Sequence, residues 1–265
     1  STPSNSSAAS DVYKRQPLVN AASSTIPALY ARALRKPTVK DLSESLKLYM
    51  LFTGFALTTF TLLSKTIATL YNPVYAEAYI VIPIVALYAT LLGLLAIYGT
   101  FISGSTRVDV EGIRSHREII SSPLFKLPLA RLLSLLFSYA LIIPLVLFVK
   151  GDHLLEALAT VAALTVGVMV VFPYFLHELS KVSKHKFPWR DFLYFALASF
   201  ASGLYYVVFG VWEISISKFW LDAPVLGFHI IVAALLYLGV LYILSEWFRG
   251  LIKAGLKFIL KCEND

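Results

Sequence analysis

The chain has 265 residues, is 58% hydrophobic and only 15% charged, and its mean hydropathy is +0.73. Soluble domains carry about 25% charged residues, so this composition excludes a water-soluble globular domain. The formal net charge of +7 would suit nucleic acid, but the cations are spread between apolar stretches and no nucleic-acid partner is expected. The single cysteine, Cys262, rules out an intramolecular disulfide.

Residues 1–16 are polar and without periodicity. The run Ser10-Asp11-Val12-Tyr13-Lys14-Arg15-Gln16 resembles translated sequencing-adapter read-through, and the segment is expected to be a non-native or disordered tail. It lacks the apolar core of a signal peptide. Residues 17–47 read as the end of a truncated helix followed by a basic connection. Thr38 and Asp41 have the spacing of a loose capping box, so a helix is expected to begin there and run on into the first long apolar stretch.

Six apolar stretches follow, at residues 48–70, 78–102, 128–149, 154–176, 192–214 and 225–247. Each has about the 20 residues a helix needs to cross a ~30 Å hydrocarbon core. Only helices or closed barrels satisfy their backbone in hydrocarbon, and continuous apolar runs lack the alternation of a barrel strand. The expected fold class is therefore all-α: a polytopic helical membrane protein with six transmembrane helices plus the end of a truncated one. Residues 48–247 make up the six-span lobe and residues 248–265 a basic tail.

Breakers mark the connections. Asn72-Pro73 and Gly151-Asp152 predict tight turns, Pro188 closes a Lys-rich connection, and Pro224 precedes the last span. A short amphipathic helix is expected around residues 110–120. Pro83, Pro144 and Pro173 fall inside spans and read as ordinary kinks in a packed bundle.

Charge placement sets the expected orientation. Seventeen Lys and Arg residues occupy alternate connections and the tail, against two, Lys150 and Lys218, in the remaining connections. The positive-inside rule puts the basic connections and the C-terminus in the cytoplasm, which implies a multi-pass plasma-membrane protein. Trp189, Trp212, Trp220 and Trp247 fall at or just beyond span ends, where an amphipathic indole suits the headgroup zone.

The sequence contains no Walker A, dinucleotide-fingerprint, HExxH, CxxC or GxSxG pattern, so neither an enzyme nor a cofactor is expected. His116, His153, His177, His185 and His229 are scattered over connections and span ends, without ligand spacing for a metal. Glu77, Glu156 and Glu213 sit near span ends, where charges are ordinary. Tyr30, Tyr49, Tyr88, Tyr98 and Tyr139 could stack on sugars, but tyrosine is also common in packed spans. The informative charges are Lys65, five residues before the end of the first stretch, and Arg131, three residues inside the third. A charge at bilayer depth costs at least ~2.5–3.5 kcal/mol, so each either faces a cavity or partner or snorkels to the interface. Facing a cavity, they are the candidate substrate-binding residues, Lys as a point charge and Arg as a bidentate ligand for phosphate.

Several landmarks carry a family resemblance. Ser24-Thr25-Ile26-Pro27-Ala28-Leu29-Tyr30, the basic stretch from Arg32 to Lys47, the Asn72-Pro73-Val74-Tyr75-Ala76-Glu77-Ala78 turn and Trp247-Phe248-Arg249-Gly250-Leu251 occur in the order found in Wzx-type polysaccharide flippases. These belong to the multidrug/oligosaccharidyl-lipid/polysaccharide exporter superfamily. The resemblance covers residues 17–260 and is similar to the C-terminal half of such a protein. It implies a partner lobe preceding this one, membrane lipids as surroundings, and an isoprenoid-(pyro)phosphate-linked oligosaccharide as substrate. It also implies alternating access around a cavity lined by cations, with no cofactor. None of the family's own cationic positions is carried over to this chain.

Three other readings stand beside it. A multidrug-type exporter of small molecules calls for mid-span carboxylates, which these stretches lack. A non-transporting anchor or scaffold subunit of an envelope-biosynthesis complex needs no site at all. A membrane-embedded glycosyltransferase calls for an acidic pair that is not suitably placed.

Overall fold

The protein is seen in a computed structural model that describes residues 38–71, 73–105, 120–184, 187–214 and 219–262. The tail at residues 1–16, the truncated helix end, most of the helix expected around 110–120, and Tyr30, His116 and His185 lie outside the described residues. In chain order the elements are α1 (Val39–Leu62), α2 (Ser64–Tyr71), a 3-10 helix (Pro73–Ile80), α3 (Val81–Ser105) and α4 (Pro123–Phe148). They continue with α5 (His153–Val182), α6 (Trp189–Val208), a 3-10 turn (Val211–Glu213), α7 (Phe219–Leu244) and α8 (Glu246–Cys262). Among the described residues six runs are long and apolar enough to cross a membrane: α1, Ala76–Ser105, α4, α5, α6 and Trp220–Leu244. No strand occurs among the described residues. The chain is an all-α polytopic membrane protein.

The helix ends follow from local chemistry. At the start of α1 the Asp41 amide donates to Thr38 Oγ1 at 3.2 Å, and the Thr38 hydroxyl donates back to the Asp41 carboxylate. This is the expected capping box, and it starts the first helix at Val39, well before residue 48. At the start of α5, Asp152 Oδ1 accepts from the amides of Leu154 and Leu155, both at 3.0 Å. Gly151 turns the chain there at φ 101°, a left-handed conformation that costs glycine little.

Three apolar stretches that read as continuous are in fact broken. The first is interrupted at Leu63, although the amide of Leu63 still reaches Thr59 O (2.9 Å) and that of Ile67 reaches Leu63 O (2.8 Å). The fifth ends as a helix at Val208, where Gly210 takes φ 63°, and its remainder through Glu213 is a 3-10 turn. The last starts at Phe219, with Pro224 inside it, and stops at Leu244. Residues past Ser245 form a separate helix, α8, so the expected basic tail is an ordered amphipathic segment and Trp247 belongs to it rather than to the span. The 3-10 helix from Pro73 replaces the simple turn expected there. Pro83 falls in the first turn of α3, where a missing amide costs no helix bond, whereas Pro173 is internal to α5.

The chain divides into two compact units. One comprises Ser1–Tyr49, Leu92–Leu133 and Val170–Lys186; the other comprises Met50–Leu91, Ser134–Met169 and Phe187–Asp265. In the first, Leu42 and Leu46 are fully buried one turn apart on α1, with Leu95, Tyr98, Phe101 and Ile102 of α3 and Phe175 and Leu179 of α5 buried beside them in the same unit. Tyr98 meets Phe172 edge-on at 6.0 Å, a packing role rather than a sugar platform. Tyr49 crosses α3 so closely that a side chain at Gly93 would strike its ring.

In the second unit α1, α6 and α7 pack through two clusters of buried residues. Met50, Leu51, Phe195, Ala198, Tyr237, Leu241 and Phe248 form one, and Leu63, Tyr206, Val211, Leu226 and Ala233 the other. Hydroxyl groups tie these helices across the apolar interior. Tyr237 donates to Leu51 O at 2.9 Å, and the Thr59 and Tyr206 hydroxyls lie 3.3 Å apart. Thr66 donates to Ile214 O at 2.8 Å, anchoring α2 to the chain beyond α6.

Helices α4 and α5 meet at Gly167. Ser134 donates to Gly167 O at 2.7 Å, and Ser138 donates to Ser134 O at 2.9 Å. Lipid tails are as apolar as leucine, so such contacts rest on close approach and on hydrogen bonds rather than on exclusion of water. A Cβ at Gly167 would strike Ser138 Oγ and lie 2.9 Å from the Ser134 carbonyl oxygen. Gly167→Ala is therefore expected to lower stability by about 1–3 kcal/mol, the usual range for overpacking. Gly239→Ala, where a Cβ meets nothing within 4 Å, is expected to leave stability unchanged or slightly raised. Thermal unfolding of both variants in detergent tests this; equal midpoints would refute the close-packing account.

Candidate functional site

Along α3, Ala96, Gly99, Thr100 and Ser103 recur at the spacing of one helical face. They replace the bulky residues of the rest of the span with small and hydroxyl-bearing ones. With Leu127, Pro128 and Arg131 of α4 and Phe175 of α5 they line a pocket of about 440 Å³. All eight residues belong to the first compact unit. They lie toward the ends of α3, α4 and α5 that adjoin the basic connections.

Arg131 supplies the charge. Its guanidinium carbon sits over the Phe175 ring, 5.5 Å from the centroid. A Cβ at Gly99 would stand 3.2 Å from Phe175 and 3.4 Å from Arg131 Nη2, so the absence of a side chain at Gly99 leaves room for this stack. A cation over an aromatic face is held by the ring quadrupole while its in-plane donors stay available. Among the described residues Arg131 makes no ion pair and no hydrogen bond, and no carboxylate lines the pocket. A permanently charged fork, an adjacent Thr100 and Ser103, and apolar walls make a site for an amphiphilic anion.

Glu178 is the buried carboxylate one turn beyond Phe175. It is occupied: its Oε1 lies 2.6 Å from Lys181 Nζ. That pair neutralises itself and leaves Arg131 unmatched.

Lys65, the other candidate from the sequence, belongs to the second unit. It is exposed on α2 between Ser64 and Thr66, both buried, and it does not line that unit's apolar pocket of about 540 Å³ around Phe60, Ile67, Val81 and Val85. Neither a family model, nor a curated protein, nor a solved structure matches the chain at a significant level. The site therefore rests on its own geometry.

Sequence reasoning found Arg131 and missed its surroundings. The small-residue face of α3 was visible as a period in the sequence, and Phe175 four residues after Val171 was visible as part of the buried face of α5. His229 was misplaced: it lies well inside α7, not at a span end, with Nδ1 2.8 Å from the Tyr205 hydroxyl. The remaining described histidines are at exposed positions, His153 beside Glu156 at 3.3 Å and His177 near the end of α5.

Inorganic pyrophosphate is expected to raise the unfolding midpoint of the protein in detergent, by linkage to the folded state. Arg131→Ala should abolish that shift, and Gly99→Leu, which fills the pocket, should abolish it too. An undiminished shift in both variants would place the anion elsewhere.

Proposed function

We propose that this chain is the spanning lobe of a membrane transporter that flips isoprenoid-(pyro)phosphate-linked oligosaccharides or polysaccharide precursors across the plasma membrane. The observation that carries the reading is the Arg131 guanidinium, without an ion pair among the described residues, at a pocket with hydroxyl and apolar walls. Such a substrate has a charged phosphate, a polar sugar head and an apolar tail. A cation at the phosphate, hydroxyl groups near the sugar and open lipid for the tail meet each of these in turn.

Under the positive-inside rule the basic connections face the cytoplasm. The pocket then opens near that face, where Arg131 would first meet the head group. Lys65, exposed on α2 in the other unit, is the second candidate contact for the head group. Transport by alternating access requires a second set of helices against which this lobe rocks, and a preceding lobe of the same protein is the partner the reading calls for. A multidrug-type exporter of cations is disfavoured, because the described residues that line the pocket include a cation and no carboxylate.

The test is complementation. The full-length gene is expected to restore polysaccharide export in a strain lacking its own flippase. Arg131→Ala and Lys65→Ala should each reduce export roughly tenfold or more, about what loss of one charge-assisted phosphate contact costs. Arg131→Lys should retain part of it, since a point charge replaces the fork. Normal export by both alanine variants at normal expression would remove them as head-group ligands.

A further inference from the structure

Helix α8 begins one residue after the last span ends. The joint at Ser245 is built rather than frayed. Ser245 Oγ accepts from the Phe248 amide at 3.2 Å, capping the new helix. Arg249 Nη1 donates to Tyr242 O at 3.1 Å and to Ile243 O at 2.8 Å, carbonyls at the end of α7. A span end lies at the membrane boundary, so a helix joined to it through one residue starts at that boundary.

The sequence of α8 sorts by face. Arg249, Lys253, Lys257 and Lys261 recur every four residues and so share one stripe of the helix. On the other side Phe248 is buried and Trp247 and Ile252 pack against the cluster of Met50, Leu51, Phe195 and Tyr237, with the Trp247 and Phe195 rings edge-on at 6.2 Å. This holds the first turns of α8 against the end of the bundle. Leu251 (39% exposed) and Leu256 (54% exposed) flank that contact and are left uncovered by protein. Lys253 is exposed and has no partner among the described residues.

We propose that α8 lies in the membrane interface as an anionic-lipid-binding helix, with Leu251 and Leu256 in the headgroup–acyl boundary and its stripe of cations on lipid phosphates. Two observations choose this occupant. The apolar face is continuous with a membrane-spanning helix through a single capped residue, and the opposite face carries four cations against one carboxylate, Glu246. A helix with a charged stripe, an apolar face and a tryptophan near its end has the make-up of an interfacial helix. An anionic surface is the chemistry that complements its charge, each cation near such a surface strengthening docking on the order of fivefold. The inference is independent of the transport reading, since any protein with this tail would bind lipid in the same way.

The single cysteine, Cys262, is the last residue of α8 and takes a polarity-sensitive fluorophore without further substitution. The full chain carrying the label is to be placed in nanodiscs of neutral phosphatidylcholine and in nanodiscs containing about one third phosphatidylglycerol. In the anionic discs the emission should shift to the blue and the label should resist an uncharged aqueous quencher. In the neutral discs it should do neither to the same extent. Raising salt from 0.1 M to 1 M should reverse the shift, as screening shortens from about 10 Å to about 3 Å. The triple substitution Lys253→Gln, Lys257→Gln and Lys261→Gln should weaken docking on the order of a hundredfold, while Arg249, which closes the joint, is left alone. Equal protection in both lipids, or protection insensitive to salt, would overturn the proposal. The salt series uses the unsubstituted helix, so the result stands even where the triple variant folds poorly.

Discussion

Everything in this molecule follows from the cost of an unpaired polar group in hydrocarbon. That cost makes each span a helix, because a helix satisfies its own backbone. It also fixes where the exceptions go. The breaks at Gly210 and Ser245 fall at span ends, and the carbonyls released there find partners. Ile214 O accepts from Thr66, and Tyr242 O and Ile243 O accept from Arg249. Side-chain hydroxyls obey the same rule. Thr58, Thr90, Thr160 and Thr165 each donate back to the carbonyl four residues earlier in their own helix.

The same cost governs the charges. Most cations stay in the connections, and the buried Glu178 is matched by Lys181. Arg131 is the informative departure, held over Phe175 by an electrostatic contact that uses none of its donors. Unlike the hydroxyls of the helix contacts, which are consumed by the fold, its donors remain for a ligand. Helix α8 departs in another way, by repeating a cation every fourth residue from Arg249 to Lys261, with Lys253 exposed to its surroundings.

Much of the fold was legible because apolar length is a strong signal and every span has it. The number of spans, the capping box at Thr38 and the turn at Gly151 all appear as read from the sequence. The break at Leu63, the early end of α6 and the separation of α8 were not legible. Hydropathy reports whether a residue tolerates lipid, and Leu63, Val211 and Phe248 do so whether or not the helix continues through them. The misplacement of His229 has the same root, since a span judged to begin at residue 225 puts that histidine at its edge and a helix from Phe219 puts it inside. For the pocket, Arg131 stood out by its charge, whereas Gly99 and Phe175 matter through a shape made only when three helices meet.

The contact at Gly167 has a mechanical consequence. Residues on the same face of α5 one turn to either side are Ala163 and Val171. Sliding α5 along α4 by one turn, about 5.4 Å, would bring one or the other opposite Ser138. Alanine would press one methyl group on Ser138, and valine a larger branched side chain. The pair of helices thus behaves as a detent with one soft stop and one hard stop, yielding more readily to displacement toward Ala163 than toward Val171.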